Sequence, residues 1–516
     1  MDGLPAPATP APAAPAAPRP LLPGPGERWL PGALLLGTLL VFGQRLLVPY
    51  WSFDDYVLAR QGSLQIDQYL TQERPLQLLY QLFGNALGAP VARVPGPWNA
   101  VALVLLALAT TWLLRLWELD RAQDRAGRGL AVLCGLMALC APYFAELWSF
   151  RIAPIYYALA LAPGAAALVL ARERTFRGGL LLLPAALVAA GLLTYQLALP
   201  ALACALCGAG LLAVLRTPED PGAALRPFAP PLATLVAGYG LASVIGGAVR
   251  RLAGLAPDPR GALVPLAGIP ARAVEVLRLL KPLIVHHPAF ATPAQRWLLV
   301  PLAAAAGLGA LWPGVRARRP LACVLAVLLL KAAFLSALLA AAPLQAWSTT
   351  PRVLVAMGLF WALALAAAWG LPACARPALL LLGAACALGF SLVTVRLGNE
   401  LLAVNAWDRA LLIRVAARLE SLPGFDAVET LVVTGAPDQP AGITRHGDQG
   451  RSAFSTPWSP APFFGEVLGR DTRQPEAAET AAAAARCAAA PRWPAPGSAL
   501  IDGRAAVLCF ADRRRE

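Results

Sequence analysis

The stretch PWNAVALVLLALATTWLLRL (97–116) contains a single charged residue, Arg115, and runs straight into the charged connection WELDRAQDRAGR (117–128). As an α-helix it would rise about 30 Å, the thickness of a bilayer's hydrocarbon core. The same alternation of apolar run and connection recurs along the chain. Further apolar runs fall near 29–48, 129–146, 152–171, 178–195, 197–215, 229–249, 297–313, 320–341, 353–371 and 375–396. The expected fold is therefore an all-α polytopic membrane protein with about eleven transmembrane helices. The composition agrees: of 516 residues, 58% are hydrophobic and only 14% are charged, against about 25% charged in soluble domains. An ordinary soluble enzyme is excluded.

The net charge of +14 is nearly all arginine, Lys281 and Lys331 being the only lysines. It sits in short tracts between apolar runs, which argues for membrane topology rather than a nucleic-acid surface. Connections 115–128, 172–177, 216–226 and 316–319 are basic, whereas those near 147–151, 195–196 and 342–352 hold few charges. The positive-inside rule places the basic set in the cytoplasm. A Pro/Ala-rich disordered tail (1–28) is then cytoplasmic. The outer side receives the loops 49–96 and 250–296, the turn 142–151, and a C-terminal domain over 397–516. Segments 76–92 and 271–285 read as interfacial helices. The C-terminal domain reads as a small α/β unit, with a helix over 399–421 and strands in ETLVVTG (429–435) and SALIDGRAAVLCF (498–510). Cys487 and Cys509 could bridge if that domain faces an oxidising compartment.

Chemistry-bearing residues gather on the outer side. YWSFDDYVLARQGSLQIDQYLTQERPL (50–76) places Asp54 and Asp55 just after an apolar run. Adjacent carboxylates at a membrane surface suit a general base, with a neighbour to orient substrate or metal. A solvated loop start, or pairing with Arg60 or Arg74, explains them as well. APYFAELWSFRIAPIYY (141–157) holds Glu146 and Arg151 in a short turn. Arg151 could bind phosphate with its planar fork, or pair with Glu146. Tyr195, Gln196 and Arg352 complete the face. Carboxylates to activate an acceptor and Arg74, Arg151 and Arg352 to hold a phosphate make a minimal kit for moving a sugar from a phospholipid carrier.

SFDDY (52–56) followed by QERPL (72–76) resembles the first-loop pattern of the serotype-converting glucosyltransferase family (Gtr type II), in which an Asp pair precedes a Gly-Arg-Pro-like element. Arg74 and Pro75 are retained, and Glu73 stands at the Gly position. APYFAELWSFR resembles that family's Pro-Phe-Phe-x-Glu-Asn-Leu-Ser-Tyr-Arg-like turn. Pro142, Phe144, Glu146, Ser149 and Arg151 match in order, and Leu147 and Trp148 depart. Tyr195–Gln196 and RCAAAPRWPAPGSALIDG (486–503) resemble further family elements. The resemblance implies a GT-C-like fold, a polyprenyl-phosphate sugar donor carrying glucose, and a glycan acceptor such as lipopolysaccharide O-antigen. It places the work at the periplasmic face of the bacterial inner membrane. Asp54 or Asp55 would be the base, and Glu146, Tyr195 and Gln196 would bind substrate. Metal dependence stays open; a divalent cation, if used, would take Asp54 and Asp55. The rival readings are a transporter or flippase of a lipid-linked sugar, for which a mid-run charge such as Lys331 matters, and a non-catalytic scaffold of envelope-glycan assembly. His286 and His287 diverge as neighbours and read as no metal pair. Asn399, Glu400, Asn405, Asp408 and Arg409 read as a solvated helix face.

Overall fold

A computed structural model of the chain describes residues 20–21, 24, 28–60, 66–173, 182–259, 262–284, 293–338, 344–345, 350–444, 448 and 450–511. Most of the 1–28 tail, the start of the 178–195 run, and His286 and His287 lie outside them.

The protein is mostly helical. In chain order the helices are α1 (Trp29–Phe42), α2 (Gln44–Leu47), α3 (Phe53–Arg60), α4 (Ile66–Thr71), α5 (Pro75–Ala86), α6 (Pro95–Leu116), α7 (Arg125–Leu139), α8 (Pro142–Leu147), α9 (Ala153–Glu173), α10 (Leu182–Thr194), α11 (Ala198–Arg216), α12 (Pro221–Leu225), α13 (Ala229–Leu252), α14 (Ile269–Ile284), α15 (Pro293–Arg316), α16 (Pro320–Ala337), α17 (Met357–Ala368), α18 (Arg376–Glu420), α19 (Pro460–Leu468) and α20 (Ala477–Ala489). Among the described residues, eight helical segments are long and apolar enough to cross a membrane. A helix also stands at the other three expected positions, but α1, α7 and α10 are shorter, at 14, 15 and 13 residues. The helices pack as neighbours α6–α9–α10–α13 and α7–α17–α15–α16–α11.

The bundle has two polar ends of different character. At one end Arg115 pairs with Glu173, Arg172 pairs with Glu118, and Arg216 Nη1 lies 2.9 Å from Glu118. These residues come from the basic connections, and ion pairing between helix ends draws those connections together. The other end gathers α3, α4, α5, α8 and the 195–196 and 350–354 turns.

α18 differs from the expected pair of segments. Runs 375–396 and 399–421 are one uninterrupted 45-residue helix. Gly398, next to Asn399, resembles a helix stop. Its small size instead admits a guanidinium, since a Cβ there would sit 2.9 Å from Arg45 Nη2. The C-terminal part of α18 enters the second core, where Leu411, Leu412, Val415 and Leu419 pack with Leu431, Phe463, Phe464, Leu508 and Phe510. That domain is a three-stranded sheet, β1 (Thr430–Thr434), β2 (Ala499–Asp502) and β3 (Ala505–Cys509), in the order β1-β3-β2. β1 and β3 are parallel, and β2 and β3 form a hairpin. α18 and α19 cover one face. α20 covers the other and is bonded to β3 through Cys487–Cys509.

Asp408 and Asn405 are corrected by the structure, because they dock the domain rather than face solvent. Asp408 is buried and accepts from Ser452 Oγ at 2.5 Å and Ala453 N at 2.8 Å. The Asn405 amide brackets the Trp51 backbone, donating to its O and accepting from its N, each at 2.7 Å. Glu400 accepts from Thr444 N at 2.9 Å. Asn399 and Arg409 are exposed as expected. Removing the Asp408 carboxylate strands two buried donors, a loss of roughly 1–3 kcal/mol each. Asp408→Ala should therefore open the chain beyond residue 421 to limited proteolysis, while Arg409→Ala should leave the digestion pattern unchanged.

Candidate functional site

Asp54 and Asp55 begin α3, where N-terminal carboxylates complement the helix dipole. They point in different directions. Ser52 and Asp55 form a capping box: Ser52 Oγ accepts from Asp55 N at 3.3 Å, and the Asp55 carboxylate accepts from Ser52 N at 2.8 Å. Ser52 Oγ also donates to that carboxylate at 2.8 Å, and Arg151 N donates to both its oxygens, at 3.1 and 3.2 Å. Asp55 is fully buried, and burial pushes its carboxyl up to about 6 against the pull of Arg151 and Ser52. Arg151 is equally committed. Its Nε donates to Tyr50 O at 2.6 Å and its Nη1 to Ala92 O at 2.8 Å, with the guanidinium 3.4 Å from the Trp51 ring centroid. Asp55 and Arg151 thus clamp the first loop onto the turn after α8.

Asp54 faces a shared polar space. Its Oδ1 accepts from Trp458 Nε1 at 2.8 Å. Arg352, Asp448 and Arg451 all lie within electrostatic reach; burial raises its carboxyl, and the Trp458 hydrogen bond pulls the other way. Arg352 Nη2 lies 2.8 Å from Asp448, Arg451 Nη1 lies 3.3 Å from the same carboxylate, and the Arg352 guanidinium caps the Phe150 ring at 4.7 Å. Beneath them Glu146 is buried and bridges two backbones, accepting from Arg352 N at 2.5 Å and Asp448 N at 2.7 Å. Burial pushes it up to about 7, with Arg352 opposing.

A third group adjoins these. Arg74 Nε donates to Gln196 Oε1 at 2.7 Å, and its guanidinium lies 4.7 Å from the Tyr195 ring centroid. Gln196 Nε2 donates to Gln72 O at 2.9 Å. Tyr195 is within electrostatic reach of Arg352, so it connects the Arg74 group to the Asp54 group. Glu73, at the position where the resembled pattern has Gly, adopts a left-handed φ of 58°, a conformation that costs an L-residue roughly 1–2 kcal/mol. Its side chain packs against Gly246 and lies 3.6 Å from Arg250, which anchors the strained turn to α13.

Every residue singled out at this face from the sequence therefore lies at one end of the bundle, in three adjoining groups. Asp448, Arg451 and Trp458 were not anticipated, because they enter from the C-terminal domain and only the fold brings them near Asp54. The role of Asp55 had a local signal, the Ser52-x-x-Asp55 spacing of a capping box. Lys331 is exposed on α16 rather than turned into the bundle. Among the described residues no group of three or more His, Cys, Asp and Glu side chains could hold a metal ion. Asp54 and Asp55 do not face a common cation, since Asp55 is turned into the protein and Asp54 toward Trp458. Compared with known proteins, the chain matches no family model, no curated protein and no solved structure.

Both buried acids hold protons more tightly folded than unfolded. Their contribution to stability is therefore full below about pH 4 and is lost as the pH rises through 6 and 7. Glu146→Gln should lose an acceptor at every pH, yet its melting temperature should fall less steeply than wild type between pH 5 and pH 8. Parallel slopes would show that Glu146 does not titrate in that range.

Proposed function

We propose that this protein is a membrane glycosyltransferase that moves a hexose, glucose by the resemblance, from a polyprenyl-phosphate carrier to a cell-envelope glycan such as lipopolysaccharide O-antigen. What carries the reading is the Asp54 cluster: an accessible carboxylate, oriented by an indole, beside two arginines at one end of an apolar helical bundle. In this reading Asp54 takes the proton from an acceptor hydroxyl. The hydroxyl oxygen attacks the anomeric carbon, and the bond from that carbon to the phosphate oxygen breaks. The electron pair leaves on the polyprenyl phosphate, whose growing negative charge Arg352 stabilises, with Arg74 on the far side of Tyr195. Asp55 and Arg151 become positioning residues, because their hydrogen bonds are already taken by backbone. Glu146 holds Arg352 in place. Inversion at the anomeric carbon, a GT-C-like fold and membership of the serotype-converting family are expectations of the resemblance.

The topology belongs to the same proposal. Eleven spans, counting the shorter α1, α7 and α10, put the ion-paired basic end in the cytoplasm and the Asp54 end at the periplasmic face of the inner membrane. A Cys487–Cys509 disulfide suits that oxidising side. The donor's lipid would stay in the bilayer while its headgroup meets Arg352. A transporter of the same lipid calls for charge at mid-depth, and the outward position of Lys331 weakens that alternative.

The test is transfer of radiolabelled sugar by purified protein in lipid. Asp54→Asn should lower transfer about 10²- to 10⁴-fold, the scale of a lost general base, with an unchanged melting temperature. Asp55→Asn should lose activity together with stability. Full activity in Asp54→Asn would remove the proposed base.

A further inference from the structure

The C-terminal domain buries its phenylalanines and half-buries Trp407 and Trp493. Phe425, Phe454, Phe463, Phe464 and Phe510 are all in its core, whereas Trp458 is 44% exposed. Among the described residues beyond 420, no other large hydrophobic side chain is exposed. A single exposed aromatic is ordinary by itself; what singles out Trp458 is that its indole N–H ends on Asp54, inside the candidate site.

Trp458 is also held in place. Its carbonyl accepts from Gln474 Nε2 at 2.8 Å. The next residue, Ser459, is buried and donates to Phe53 O at 2.6 Å, while its hydroxyl is bonded to that of buried Thr456 at 2.6 Å. The Phe53 ring lies 6.4 Å from the indole. The indole N–H is already taken by Asp54, at 2.8 Å. What remains is a rigid apolar plate whose polar edge ends on a carboxylate.

One ligand class matches that combination. A pyranose has C–H bonds on its faces and hydroxyls around its rim. Its slightly positive C–H groups suit the negative face of an aromatic ring, and a rim hydroxyl then falls beside Asp54. An acyl chain would use the plate but leave the carboxylate facing hydrocarbon. We infer that Trp458 is the stacking platform for a hexopyranose of the acceptor glycan, and that its N–H fixes Asp54 toward that sugar's attacking hydroxyl. The inference rests on the transferase reading for the acceptor's role, but sugar stacking can be measured apart from transfer.

Two substitutions separate the ring from the N–H. Trp458→Phe keeps a ring and loses the donor; Trp458→Gln keeps a donor and loses the ring. Purified full-length protein in lipid nanodiscs is mixed with methyl glucoside, methyl mannoside or methyl rhamnoside, and saturation transfer to the sugar C–H protons is read by NMR. At least one glycoside should be saturated by wild type and by Trp458→Phe, with binding about fivefold weaker in Trp458→Gln, the scale of a lost aromatic contact. In the transfer assay Trp458→Gln should raise the acceptor KM by a similar factor. Trp458→Phe should instead leave KM unchanged and move the acid limb of kcat/KM to higher pH, because the hydrogen bond that holds the Asp54 carboxyl down is gone. No saturation of any glycoside by wild type, or equal saturation by Trp458→Gln, overturns the platform. A wild-type protein that saturates a glycoside but transfers no sugar overturns the transferase reading and leaves the platform standing.

Discussion

The buried Asp55 carboxylate is the contact on which the arrangement of the first loop depends. It accepts from Ser52 and from the backbone of Arg151, and Arg151 answers by gripping the carbonyls of Tyr50 and Ala92. Neither group could stay charged there alone, because an unpaired ion in a low-dielectric interior is expensive. Together they fix where α3 begins and how it is rotated. Successive helical residues are about 100° apart around the axis. Turning Asp55 inward therefore turns Asp54 outward, and two adjacent identical side chains acquire different chemistry from one rotational setting.

The second determinant is the continuity of α18. A helix of 45 residues would reach far beyond a bilayer's apolar core. Its apolar first half packs in the bundle, and its second half is the spine of the C-terminal domain. Asn405 on this helix meets Trp51, and Asp408 meets Ser452. Because both contacts are directional and partly or wholly buried, they set the domain's angle as well as its attachment. That angle delivers Asp448, Arg451 and Trp458 to Asp54. A flexible tether at residue 397 would not have held an indole within 2.8 Å of a carboxylate.

How much of this could be read from the sequence follows from the range of the interactions. The helices of the bundle were legible because span length and apolarity are properties of contiguous residues. The strands around 430 and 499–509 were legible for the same reason. The candidate acids and arginines could be assigned to one face, since alternation of basic and neutral connections orders the loops. Partner choice was not legible. Asp54 and Trp458 are 404 residues apart in the chain, and no local pattern encodes that meeting. Asp408 looked like a solvated residue because charge usually marks surface, yet tertiary docking supplied it with two donors. For Arg151 the sequence left phosphate binding and pairing with Glu146 both open, because the Tyr50 and Ala92 carbonyls it binds carry no side-chain signature.

The same geometry constrains how a phosphate would be received. Arg352 already has an anionic partner, Asp448, and Asp448 is shared with Arg451. A phosphate approaching Arg352 therefore competes with a carboxylate for the same guanidinium, rather than meeting a bare cation. When it displaces Asp448, that carboxylate can be kept by Arg451, so the exchange leaves no buried charge unpaired. The backbone of Arg352 stays fixed throughout, because Glu146 holds its N–H. Such a swap would make phosphate binding weaker than an isolated arginine allows but readily reversible, which suits the proposed transfer, in which the carrier phosphate would leave after each turnover.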